Sequence, residues 1–176
     1  MSLLTVGHGT LDQEAFAALL TDAGVELLVD VRTYPGSRRH PHFGRDLMAD
    51  WVPDAGVAYR WEPRLGGRRR VRPGTRHVAL RNDGFRGYAD HMETPAFRTA
   101  LAEVLAEEPV TAVMCSESVW WRCHRRLVSD AATLLAGAEV LHLFHDGRLR
   151  PHAPTEGVRV EGDALIYDVG VETPML

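Results

Sequence analysis

The stretch Cys115-Ser116-Glu117-Ser118-Val119-Trp120-Trp121-Arg122-Cys123-His124-Arg125-Arg126 holds both cysteines of the 176-residue chain, with one histidine and three arginines. A thiol reacts as its thiolate, and a neighbouring cation or helix N-terminus favours that form. Residues 110–114 read as an apolar strand ending at Cys115. Helical signals resume at about Arg122, with Leu127, Ala131, Leu134 and Leu135 on one face and Gly137 as the stop. The free N–H groups and positive dipole end of such a helix draw anions. Cys115 is therefore the candidate nucleophile, and Arg122 and Arg125 are the candidate anion contacts. His124, on the helical stripe of Leu127 and Val128, is either the base that ionises Cys115 or a donor to substrate. The structural alternatives are a plain buried cysteine and a histidine satisfied by backbone.

Cysteine-dependent phosphatases and rhodaneses use this strand–loop–helix order. Here six residues separate Cys115 from Arg122, one more than in the phosphatase signature, and two of them are tryptophans where glycines would wrap a phosphate. Seven residues separate the two cysteines, unlike the short knuckle of zinc sites, and there is no second cysteine pair. His40-Pro41-His42 and His142 with His145 are loose pairs. No metal site and no cofactor are assigned, and a metal-binding Cys/His domain stands as an alternative.

The elements that must position these residues follow from periodicity. Residues 3–7 read as a strand bounded by Gly7-His8-Gly9, residues 25–31 as one covered on both faces, and residues 57–61 and 140–144 as two more. Thr10 with Gln13 matches a capping box for a helix carrying Phe16, Leu19 and Leu20. Leu47, Met48, Trp51 and Val52 mark a helix that Pro53 must shorten or break. Thr94-Pro95 opens another with Phe97, Leu101, Val104 and Leu105 on one face. Two short apolar runs flanking Gly162-Asp163 make a hairpin over about 157–168. Strands alternating with helices imply an α/β fold: a mainly parallel sheet with helices on both faces and a small C-terminal β-hairpin, one domain over 1–176.

In such sheets ligands sit beyond the carboxyl ends of the strands. His8 follows the first strand, Asp30 and Arg32 end the second, and Cys115 ends the fourth. After the third comes an aperiodic segment, 62–84, with seven arginines. Such long loops are functional or disordered. Asp30, costly if buried alone, must meet Arg32, another arginine or backbone donors. His8 and Asp30 are the candidate acid–base or orienting groups, and Arg32 is a candidate substrate contact.

All 20 basic side chains counted as Lys or Arg are arginines, which codon bias explains; their placement is a separate matter. Thirteen lie between Arg32 and Arg86 against five carboxylates, a net +8 in a chain of net −4. Arg68-Arg69-Arg70-x-Arg72 is the densest run, with Tyr59, Trp61, Phe85 and Tyr88 nearby, and arginine with aromatics suits single-stranded nucleic acid. A pI near 6.1 argues against strong nonspecific duplex binding. Hydrophobic content of 45% with 25% charged residues excludes a disordered chain, and no apolar run approaches the ~18 residues of a membrane span. The N-terminus has no basic n-region or long apolar run, so a cytoplasmic location with both thiols reduced is expected.

The segments Thr5-Val6-Gly7-His8, Leu28-Val29-Asp30-Val31-Arg32, Leu65-Gly66-Gly67, Gly87-Tyr88-Ala89-Asp90, Cys115-x-Glu117 with Arg122-Cys123-His124-Arg125, and Asp146-Gly147 with Pro151-His152 resemble the domain-of-unknown-function 488 family along nearly the whole chain. The Cys-x-Glu…Arg-Cys-His-Arg block is the most specific part. Similar proteins often carry small polar residues where Val119-Trp120-Trp121 stand here. The resemblance implies a cytosolic α/β protein and no agreed reaction.

The expectation is an enzyme-like domain that binds a phosphate-bearing or other anionic substrate, a nucleotide or nucleic acid included, over the strand ends. Cys115, His124, Asp30 and His8 would do the chemistry. Arg32, Arg122, Arg125, Glu117, Tyr88 and Arg68 would bind substrate. If it is an enzyme, it is a cysteine-dependent transferase or hydrolase. The alternative is a noncatalytic nucleic-acid-binding module using the arginine-rich segment 60–86. No membrane is involved, and a homodimer is compatible with the sequence.

Overall fold

The computed structural model describes residues 1–36 and 38–170. Five parallel strands make the body of one sheet: β1 (Ser2–Gly7), β2 (Leu27–Asp30), β3 (Ala58–Trp61), β4 (Thr111–Cys115) and β5 (Glu139–Leu143). A short antiparallel strand, β6 (Leu149–Pro151), extends the edge, so the order is β3-β2-β4-β1-β5-β6. β7 (Val158–Glu161) and β8 (Ala164–Tyr167) form a separate hairpin. This is the expected α/β architecture with its C-terminal hairpin.

Alternate strand residues feed two cores. Leu4, Val6, Leu28, Ala112 and Met114 pack with Phe16, Leu20 and Trp51 from α1 (Gln13–Asp22) and α2 (Arg45–Asp54). Leu3, Leu27, Val29 and Val113 face α3 (Asp83–Met92), α4 (Pro95–Leu105) and α5 (Arg125–Leu134), which contribute Tyr88, Phe97, Leu127 and Val128. Both faces are covered, as a parallel sheet requires. No helix of the described residues is long and apolar enough to cross a membrane.

Three local expectations change. The side chain that caps α1 is Asp12, which accepts from Ala15 N at 2.7 Å, so the Thr10–Gln13 capping box does not form. Asp12→Ala is expected to lower stability by about 1 kcal/mol in urea denaturation, and Thr10→Ala to leave the midpoint unchanged. Pro53 lies in the last turn of α2 without breaking it, where the chain is about to leave the helix anyway. The helix after Cys115 begins at Arg125, not near Arg122; a single 3-10 turn, Trp120–Arg122, precedes it.

Four of the nine arginines of the segment 60–86 pair with carboxylates from elsewhere in the fold. Arg60 pairs with Glu107, Arg64 with Glu103, Arg72 with Glu93 and Arg76 with Glu161. Arg69 donates to the carbonyls of Gly66 and Pro63 at 2.9 and 2.8 Å. Much of the surplus that looked like a nucleic-acid footprint is thus internal stitching.

Candidate functional site

β4 and β1 are neighbours, and their pairing continues past the strand ends. His8 N donates to Cys115 O at 3.0 Å, and Gly9 N to Ser116 O at 2.9 Å. The loop after Cys115 then folds back over Gly7, where only the absence of a Cβ leaves room for the Glu117 carbonyl. From the other side, residues 66–68 approach His124: a Cβ on Gly67 would stand 2.9 Å from its Nδ1. Thr33 Oγ1 pins this approach by donating to Gly67 O at 2.6 Å.

The result is a cleft of about 490 Å³ at the carboxyl ends of β1, β2 and β4. Of the residues singled out by sequence, His8, Arg32, Arg68, Cys115, Glu117 and His124 line it, and Arg39 joins them. Asp30, Tyr88, Arg122 and Arg125 do not. Asp30 is fully buried and holds Arg32 through two bonds, Nε to Oδ1 at 2.8 Å and Nη2 to Oδ2 at 2.6 Å, while Tyr59 donates to the same carboxylate at 2.7 Å. Such bidentate pairing fixes the guanidinium and leaves Nη1 for His8 Nε2, 3.3 Å away. Nε2 therefore accepts, and Nδ1–H donates to Gly9 O at 2.9 Å. That assigns one neutral tautomer. Burial and the Arg32 charge agree, pushing His8 down to about 4.

Tyr88 is buried with its hydroxyl on Leu65 O, so it supports the 66–68 loop from beneath. Arg122 is exposed on the 3-10 turn. Arg125 is 1% exposed, and its guanidinium donates to the Glu117 carbonyl, with longer contacts of 3.5 Å to Ser118 O and Thr5 Oγ1. It holds the loop in shape from below. None of the described carboxylates pairs with this buried cation.

Cys123, at the entry to α5, accepts the Arg125 backbone N–H at 3.5 Å. Burial opposes its ionisation, but the hydrogen bond from Cys115 and the Arg125 charge outweigh it and push Cys123 down to about 6. Cys115 moves the other way, up to about 12, because its hydrogen bond to Cys123 and its burial hold its proton. His124 Nδ1 lies 3.8 Å from Cys115 Sγ and 3.6 Å from Cys123 Sγ; its Nε2 is buried without a partner. Sequence reasoning weighed Cys123 as a metal ligand and not as a partner of Cys115, because eight positions of chain hide a contact that only the turn at 120–122 creates.

Two further features escaped the sequence. Arg68 is the only described non-glycine residue at positive φ, +59°, and its guanidinium sits 5.7 Å from the Tyr34 ring at the cleft mouth. Neither Arg68 nor Arg39 pairs with a carboxylate among the described residues. Behind the cleft runs a buried polar chain. Asp130 accepts from His152 Nε2 at 2.8 Å, His152 Nδ1 meets His142 Nε2 at 3.0 Å, and His142 Nδ1 meets the Thr5 hydroxyl at 2.7 Å. Asp130 also accepts from Tyr167 at 2.9 Å, tying the hairpin to the sheet. Trp120 stacks on His142 with centroids 4.1 Å apart, whereas Trp121 is 46% exposed.

Comparisons with curated proteins and with solved structures found no match. The profile of one protein family does match, over residues 12–132, a span that includes Asp30, Arg68, both cysteines and His124. The chain belongs to the family described as Domain of unknown function DUF488.

Proposed function

We propose that the cleft binds a phosphate-bearing or other anionic small molecule in an enzyme-like domain, against the wall that carries Cys115 and His124. The observation that carries this reading is Arg68. It is held in a backbone conformation costing of order 1 kcal/mol, it has no carboxylate partner among the described residues, and it overhangs a cleft with a cysteine–histidine cluster in its wall. Arg39 supplies a second cation there that has no carboxylate partner among the described residues. Arg32 contributes geometry more than charge, since Asp30 neutralises it, and neutral His8 acts as an orienting group beside it. Arg122 and Arg125 have no place in this reading as anion contacts. The cytoplasm, where thiols stay reduced, suits a site built on two of them.

The test is calorimetric titration of metal-stripped, reduced protein with inorganic phosphate. Arg68→Ala is expected to weaken binding roughly tenfold, the loss of one charge-assisted hydrogen bond, and Cys115→Ser to leave affinity near wild type. Wild-type protein that gives no phosphate heat, or whose affinity ignores Arg68→Ala, sinks the reading. The nucleic-acid alternative has less to stand on, because Arg60, Arg64, Arg72 and Arg76 already have carboxylate partners.

A further inference from the structure

Cys115 Sγ, Cys123 Sγ and His124 Nδ1 all lie within 4.8 Å of one another, with the two sulfur–nitrogen edges at 3.8 and 3.6 Å. A tetrahedral zinc ion, bonded at about 2.3 Å to sulfur and about 2.0 Å to nitrogen, sets its sulfur and nitrogen ligands about 3.6 Å apart. The histidine is therefore already at ligand spacing from both cysteines. We propose that Cys115, Cys123 and His124 form a three-ligand zinc site whose fourth position opens on the cleft.

Several independent features fit. Cys115 and His124 line the cleft while Cys123, 3% exposed, stands behind them, so an ion held by all three keeps one side toward solvent. Gly67 keeps the Nδ1 face of His124 clear of side-chain atoms. The Arg125 backbone N–H on Cys123 Sγ is the kind of outer hydrogen bond that orients a ligand. The donor set, two thiolates and an imidazole, suits zinc, and three protein ligands with one open position is the pattern of catalytic rather than structural zinc. Each cysteine binds as thiolate, so its thiol proton leaves to solvent as the ion enters.

Charge then selects the fourth ligand. Zn²⁺ with two thiolates is neutral, while Arg68 and Arg39 at the cleft have no carboxylate partner among the described residues. An anion in the open position restores the balance. Only this last step rests on the reading of the cleft as an anion site; the three protein donors stand without it. The other histidine–carboxylate group, His77 with Asp90 and Glu93, is accounted for by hydrogen bonding alone. Asp90 accepts from Arg72 N and the Thr75 hydroxyl, and His77 Nε2 meets Glu93 at 3.0 Å.

The test uses untagged, reduced, metal-stripped full chain titrated with Co²⁺, then with Zn²⁺. One equivalent of cobalt should give a thiolate-to-cobalt charge-transfer band with the intensity of two thiolates and the visible bands of a tetrahedral ion; zinc should abolish both. Because the chain has only two cysteines, that intensity identifies the ligands. Cys115→Ser and Cys123→Ser should each reduce the band to that of one thiolate and weaken zinc binding at least about 100-fold, the upper end of what outer-shell changes cost. His77→Asn should change nothing. Folded wild-type protein without a thiolate band overturns the site regardless of whether the variants fold. A band at full intensity in Cys123→Ser does so as well. Phosphate binding without a cobalt band removes the zinc site and spares the anion reading; a cobalt band without phosphate binding does the reverse.

Discussion

Gly7→Ala is expected to cost about 3–5 kcal/mol of unfolding free energy, or to prevent accumulation of folded protein. Gly7 is not at positive φ, so its conformation is open to alanine; the cost is steric. A Cβ there overlaps the Glu117 carbonyl oxygen and comes within 2.7 Å of Arg125 Nη2. The first is backbone and cannot swing away. Relief requires the loop after Cys115 to lift off β1, which strips Arg125 of its main acceptor and leaves a buried guanidinium with only the long contact to Thr5 Oγ1. Breaking such a contact costs the desolvation of both groups and more than a neutral hydrogen bond. Gly24→Ala is the control. Gly24 has φ +69° and open space around it, so alanine should cost only about 1–2 kcal/mol from backbone strain. Urea midpoints of the two variants measure the difference. Equal midpoints would mean that the 115–118 loop does not lie on Gly7.

The second large effect is acid lability above the usual carboxylate range. His8 is pushed down to about 4 by burial and the Arg32 charge, and His142 to about 3 by burial with His152 and Arg125 beside it. Both therefore fold neutral. Between those values and the unfolded value near 6.5, the unfolded chain binds more protons, so stability falls as pH falls. The contribution is complete above about 6.5. By pH 5 each histidine has lost about 2 kcal/mol, at ~1.4 kcal/mol per pH unit below the unfolded pKa. His77 and His91 are lowered too and add in the same direction. Urea unfolding at pH 7 and pH 5 should show a loss of at least ~3 kcal/mol. A midpoint that is flat over this range would mean that His8 and His142 are charged in the fold.

What the sequence disclosed tracks how local the physics is. Strands β1, β2, β4 and β5 were legible because a strand buried on both faces is a bare apolar run. Helices α1, α4 and α5 were legible from period and stop signals. α3 was not. Its Asp83-Gly84-Phe85-Arg86-Gly87 opening is poor in helix formers, and Gly87 is there because the Arg69–Arg70 backbone packs against it, a reason that lies 17 residues away. The site divides in the same way. Strand-end placement brought His8, Arg32 and Cys115 to one cleft. No spacing rule could rank Arg122 against Arg125: a 3-10 turn shifts the helix start, sends one arginine to solvent and sinks the other beneath the loop.

The long-range arginine pairs bear on how the chain comes to be folded. Synthesis proceeds from the N-terminus, and domains begin to form as it does. The cationic stretch around residues 60–76 therefore emerges before Glu103 of α4 and Glu107 just beyond it, and Arg76 waits a further 85 residues for Glu161. Until then, a growing chain shows its surplus charge to the ribosome's own polyanionic surface. The Arg76–Glu161 pair is thus a property of the finished polypeptide, made only once the hairpin is in place.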